Sequence, residues 1–188
     1  METKITYFEN PGKENTDAVM RIVKTRAQEL GINMAVVASF RGYTAEKAVR
    51  VLDNMKIVVI AGFAQPTMQN LEETFSQGDE NLIRSKATIL TTTHFFSGMS
   101  RAIRKKYNNS SPEETVAQAL RIISVGVKVG IECTIMAADA GLVHTDEDII
   151  AIGGTRSGAD TALVIRPVNS QDFFDIKVKE ILCKPRNW

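Results

Sequence analysis

Three stretches of the chain carry side chains and glycines at spacings that could do chemistry. The first is Ser39-Phe40-Arg41-Gly42-Tyr43-Thr44-Ala45. Ser39 and Thr44 supply hydroxyls, Arg41 a cation, and Gly42 lets the backbone turn its amides inward. Between a strand and a helix N-terminus, that set suits a phosphate dianion. The same residues also make an ordinary strand-to-helix turn with Thr44 as its cap, and the segment alone leaves both readings open. The second is Gly153-Gly154-Thr155-Arg156-Ser157-Gly158-Ala159-Asp160-Thr161. Its glycines permit close backbone approach to a ligand. A hairpin loop, with Arg156 paired to Asp160, is the alternative. The third is Thr91-Thr92-Thr93-His94. His94 could hydrogen-bond a ligand or serve as an acid or base, or be a satisfied structural group.

A fourth feature lies on a helix. Lys128, Glu132, Met136 and Asp139 fall about one turn apart on one face of an otherwise apolar segment. They read either as an ion pair, Lys128 with Glu132, or as the wall of a pocket in which Glu132 is a candidate base. Other chemistries find no support. There is no Walker-type loop, no G-x-G-x-x-G, no G-x-S-x-G elbow, and no His/Cys cluster with metal spacing. His144 reads as a surface residue and Cys133 as core.

The elements that must position these groups follow from alternating apolar periods. Strands are expected at 5–8, 34–38, 56–60, 88–92, 148–152, 162–168 and 173–183. The run at 34–38 is continuously apolar, as in a strand covered on both faces. Helical spacing covers 15–30, 44–52, 70–76 and 97–107, with 61–69 as a loop. A helix that starts at Ser111-Pro112-Glu113-Glu114, with cap, proline and acids in order, is expected to run to Ala140. Alternation of this kind predicts a single α/β domain over 1–188: a mainly parallel sheet covered on both faces, its last strands pairing antiparallel at one edge. Ligands bind such sheets beyond the carboxyl ends of the strands, where the first three stretches lie.

The 188 residues suit one domain, with 44% apolar and 24% charged residues. A formal net charge of +1 gives no sign of nucleic acid or an anionic membrane as partner. The longest apolar region, 122–142, is interrupted by Lys128, Glu132 and Asp139 and reads as a buried helix rather than a membrane span. Two distant cysteines and the absence of an N-terminal signal-like core lead to an expected cytoplasmic location.

The Ser39–Ala45 segment resembles the effector-phosphate loop of the pyruvate kinase C-terminal α/β domain, of the type Thr-x-Ser-Gly-Arg-Ser-Ala. It shares the first hydroxyl, the glycine, the last hydroxyl and the alanine, and departs from it at Arg41 and Tyr43. More of the chain is similar to a family of stand-alone, mostly archaeal proteins of pyruvate kinase α/β-domain type. The similarity is carried by the opening Tyr7-Phe8-Glu9-Asn10-Pro11-Gly12-Lys13-Glu14-Asn15-Thr16, by Thr91-Thr92-Thr93-His94, by Met136-Ala137-Ala138-Asp139-Ala140-Gly141-Leu142, by the Gly153–Thr161 segment and by Val178-Lys179-Glu180-Ile181.

The resemblance implies a three-layer α/β/α sandwich and a small phosphorylated ligand, with flavin mononucleotide (FMN) as the expected cofactor. It also allows self-association. The expected binding residues are Ser39, Phe40, Arg41, Gly42, Tyr43 and Thr44 on one side; Thr92, Thr93 and His94 on another; and Gly154, Thr155, Arg156, Ser157, Gly158, Ala159, Asp160 and Thr161 closing over the ligand. Phe40, Tyr43 or Phe63 is expected against a planar ring. Pyruvate kinase does its chemistry in a separate barrel, for which 188 residues leave no room, so kinase activity is not expected. A binding protein, a flavin-dependent oxidoreductase (or other enzyme of phosphorylated metabolites) and a metabolite-sensing module all remain open.

Overall fold

The computed structural model describes residues 2–63 and 77–188. The part of the expected loop beyond 63, and the helix expected at 70–76, lie outside the described residues. In chain order the elements are β1 (Thr6–Phe8), α1 (Thr16–Leu30), β2 (Met34–Ala38), α2 (Tyr43–Val51), β3 (Lys56–Gly62), α3 (Glu80–Lys86), β4 (Ala87–Thr91), α4 (Gly98–Tyr107), α5 (Pro112–Arg121), α6 (Val125–Asp139), β5 (Ile149–Gly153), β6 (Thr161–Arg166) and β7 (Lys177–Pro185).

The strands form one sheet in the order β1-β7-β6-β5-β2-β3-β4. β2 pairs in parallel with both β3 and β5, and β3 with β4. β6 runs antiparallel to β5 and β7, and the short β1 adds to β7 in parallel. The two-residue period of a strand sends alternate side chains to opposite faces. Ala35, Val37, Ile57, Val59, Ile150 and Ile152 join the core under α1 and α2. Val36, Val58, Ile60, Ile149 and Ala151 join the core under α6. These central strands bury both faces, so their sequences are unbroken apolar runs. The result is a three-layer α/β fold with a mixed, mostly parallel sheet. No described helix is long and apolar enough to cross a membrane.

Two helix expectations change. The helix expected from Ser111 to Ala140 is two helices, α5 and α6, separated at 122–124. Ser124 takes an extended backbone (φ −176°, ψ 160°), and its Oγ accepts a hydrogen bond from the Val127 amide at 3.0 Å. The apolar residues Ile122 and Ile123 disguise the break in the sequence, although Ile122 is 76% exposed. In addition α3, which the sequence reading did not anticipate, begins where the Asp79 carboxylate accepts from the Leu82 amide at 3.0 Å. The strand expected from 173 starts later, because 170–175 forms 3-10 turns before β7.

The break matters because α6 is buried on nearly every side, wedged between the sheet and α5. Its first turn sits almost on the strand ends. A Cβ at Gly126 would lie 2.1 Å from Thr161 Oγ1, and one at Gly153 would lie 2.5 Å from the Gly126 carbonyl oxygen. Only paired glycines allow this approach. Gly126→Ala is therefore expected to destabilise the protein by about 1–3 kcal/mol through overpacking. Urea unfolding measures this, and an unchanged midpoint would contradict the close contact.

Candidate functional site

β2 lies between β3 and β5, and the chain leaves it in one direction along the sheet while β5 flanks it on the other. That reversal of strand order is where parallel α/β sheets open a crevice beyond their carboxyl ends. A cavity of about 590 Å³ occupies the position, within the roughly 300–1,000 Å³ range of small-molecule sites.

One wall is the loop after β2. Ser39 is anchored by its amide, which donates to the Ile60 carbonyl at 3.0 Å. Its Oγ accepts from the Ala45 amide at 3.1 Å, inside the first turn of α2. Ser39 thus caps α2 from six residues away. Gly42, the N-cap position, has φ 88° and no side-chain bond. The alternative with Thr44 as the cap is replaced by this arrangement. Among the described residues no acceptor is found for the amides of Gly42, Tyr43 and Thr44. These are the donors that a helix start presents to an anion. Tyr43 is held from outside by Lys13, whose Nζ lies 3.9 Å from the ring centroid.

The opposite wall is the loop after β5. Asp160, fully buried, organises it. One carboxylate oxygen accepts from the Thr155 amide at 3.0 Å and the other from the Thr161 hydroxyl at 2.8 Å. The Ala159 amide donates to Thr16 Oγ1 at 3.0 Å, so the loop is clamped to the start of α1. With Asp160 occupied by these bonds, the possible pair with Arg156 does not form. Arg156 instead stands exposed at φ 66° and lines the cavity with Gly154, Ser157 and Gly158. Thr155 Oγ1 is buried without a hydrogen-bond partner.

The floor comes from β3 and α6. Gly62, at φ 84°, leaves space in which Phe40 and His94 approach each other. A Cβ there would lie 2.8 Å from Phe40 Cδ2 and 3.2 Å from His94 Nε2. Val125 and Val129 add the start of α6.

Behind His94 lies a buried charge cluster. Glu132 Oε2 accepts from Lys128 Nζ at 2.5 Å, and Oε1 accepts from the Phe96 amide at 3.0 Å. His94 Nδ1 is 3.4 Å from Glu132 Oε2, without a formed hydrogen bond. Burial favours the neutral acid. The neighbouring imidazole, the ammonium and the amide outweigh it and hold the Glu132 carboxyl down at about 2. Burial also pushes Lys128 below its usual range, with Glu132 opposing that shift. The Lys128–Glu132 pair is therefore formed and buried, and Glu132 is an anion that faces His94 rather than a free base.

Of the expected residues, Ser39, Phe40, Arg41, Tyr43, Thr44, His94, Gly154, Arg156, Ser157 and Gly158 come together around the cavity. Gly42, Phe63, Thr92, Thr93, Thr155, Ala159, Asp160 and Thr161 do not line it. Ala159, Asp160 and Thr161 are fully buried supports. Asp139 lies at the far end of α6, where it accepts from the Ser170 amide at 2.9 Å. Gly62, Gln77, Val125 and Val129 were not anticipated. Ser124 followed by Gly126 was the available signal for the start of α6. Among the described residues no group of three or more His, Cys, Asp or Glu side chains could share a metal ion.

Residues 17–165 match the family model described as pyruvate kinase, alpha/beta domain. The matched span runs from α1 through β6 and includes both cavity loops.

The buried pair yields a test. Glu132→Gln leaves the Lys128 ammonium without its counter-charge and is expected to cost about 3–5 kcal/mol in unfolding free energy. Because the folded carboxyl titrates below its unfolded value, its contribution is complete above pH 4.5 and fades as pH falls toward about 2. The stability gap between wild type and variant, followed by denaturant titration from pH 6 to 2, should close over that interval. A gap independent of pH would contradict the assignment.

Proposed function

The chain belongs to the pyruvate kinase alpha/beta domain family, and from that premise we propose that its strand-end cavity binds a phosphorylated small molecule, with FMN as the ligand. The observation that carries this reading is the convergence of two glycine-bearing loops, two helix starts and two arginines on one cavity. The phosphate is read by the amides of Tyr43 and Thr44 at the start of α2, with Arg41 and Arg156 as flanking cations. Phe40, 37% exposed at the mouth, offers an aromatic face to the planar ring. The paired helix starts at the cavity are the structural feature that fits such a group. FMN supplies redox chemistry when bound, and the chain's own residues bind, orient and shield it.

A second reading, an oxidoreductase rather than a passive binder, is favoured by His94. Its Nε2 lies at the cavity floor while its Nδ1 faces the Glu132 anion. In this reading His94 is the proton-handling group beside the bound flavin. Oxidation of reduced nicotinamide by the FMN-loaded protein, lost in His94→Phe with FMN still bound, would support it. No turnover with common electron donors would remove it.

The phosphate reading is tested by titration with FMN and with riboflavin, followed by flavin fluorescence. FMN is expected to bind at least about tenfold more tightly, the effect of one charge-assisted contact. Ser39→Ala, which uncaps α2, is expected to weaken FMN more than riboflavin. Equal affinities for the two flavins would contradict the proposal.

A further inference from the structure

A second cleft, of about 440 Å³, lies between α4, α5 and α6 and shares His94 and Val129 with the first cavity. Its character is different. Arg101 and Arg104 enter from α4, Arg121 from the end of α5 and Lys128 from α6. The carboxylates that face this cleft are already engaged. Glu114 pairs with Arg104, and Glu132 pairs with Lys128 and accepts from the Phe96 amide. Arg101 and Arg121 have no carboxylate within 4 Å among the described residues.

The cations are also in mutual conflict. The Arg121 guanidinium lies close enough to Lys128 to disfavour its charge, in addition to the effect of burial. Two cations that repel across a cleft are stabilised by an anion placed between them. The Lys128 side chain is only 7% exposed and its neighbour Glu132 only 3%. This side of the cleft is therefore a built wall, not a solvated surface.

We propose that the α4–α5–α6 cleft is a second binding subsite, for the carboxylate or phosphate group of a small molecule, adjoining the first cavity at His94. Arg101 and Arg121 bind the oxyanion directly. Lys128, fixed by Glu132, adds fixed positive charge at its back. The assignment does not depend on what occupies the first cavity. If that cavity holds a flavin, the second subsite positions a small anionic molecule beside it, with the imidazole between the two.

The test is equilibrium binding of inorganic phosphate at low ionic strength to three proteins: wild type, Arg101→Gln/Arg121→Gln, and Ser39→Ala/Arg156→Gln. Circular dichroism verifies that each is folded. Wild type is expected to take up two phosphate ions, and each double variant one. Loss of the two guanidiniums should weaken the cleft ion by about tenfold or more. A wild type that binds one phosphate, lost only in Arg101→Gln/Arg121→Gln, supports the cleft and removes the phosphate reading of the first cavity. Phosphate uptake unchanged in Arg101→Gln/Arg121→Gln, or absent in wild type, overturns the subsite. Repeating the titration with saturating FMN separates the sources. Retained cleft binding means a separate molecule, and exclusion means that the far end of one long ligand reaches the cleft.

Discussion

The parallel pairing of β2 with β5 is the constraint on which the rest depends. It sets the ends of the two strands side by side, Val37 opposite Ile152, while the helices attached to them lie on opposite faces of the sheet. The loop after β2 must rise toward α2 on one face, and α6 reaches the strand ends from the other. The space left between them is the cavity. Its floor can be that deep only because Gly126 and Gly153 let α6 and β5 touch through backbone. A side chain at either position would lift the helix start away from the strand ends.

Electrostatics sharpen this geometry. The loops bring arginines and amides to the mouth, with no carboxylate among the described residues that line the cavity. Glu132 is set behind His94 and neutralised by Lys128, and the Asp160 carboxylate is turned into its own loop by the Thr155 amide and the Thr161 hydroxyl. The described lining is therefore a favourable place for negative charge, and the buried pair keeps it so by holding the Glu132 carboxylate back from the cavity. The cost of burying that pair is offset by its hydrogen bonds to Phe96 and Lys128, which also fix the chain after β4 against α6.

Much of this was legible in the residues. Continuous apolar runs marked the central strands because both sheet faces are covered. Glycines and hydroxyls after β2 and β5 marked the cavity loops because backbone must approach there. What stayed hidden was tertiary. Ile122 and Ile123 continue the apolar pattern across a break that Ser124 makes, so the sequence pattern shows one helix where the fold has two. Asp160 fits the binding set or a pair with Arg156 by sequence alone, since sequence cannot show that both its oxygens are used inside the loop. Thr92 and Thr93 stand at a strand end, but β4 is an edge strand two places from the crevice. Glu132 could not be assigned without knowing that it is buried against a lysine and a histidine.

The most direct test of the account is the absorbance spectrum of protein purified without added cofactor, with mass spectrometry of whatever denaturation releases. An FMN site predicts flavin bands and released FMN, or a colourless protein that acquires those bands after incubation with FMN and gel filtration. A protein that stays colourless after that treatment, or that releases a ligand without a phosphate group, would contradict it.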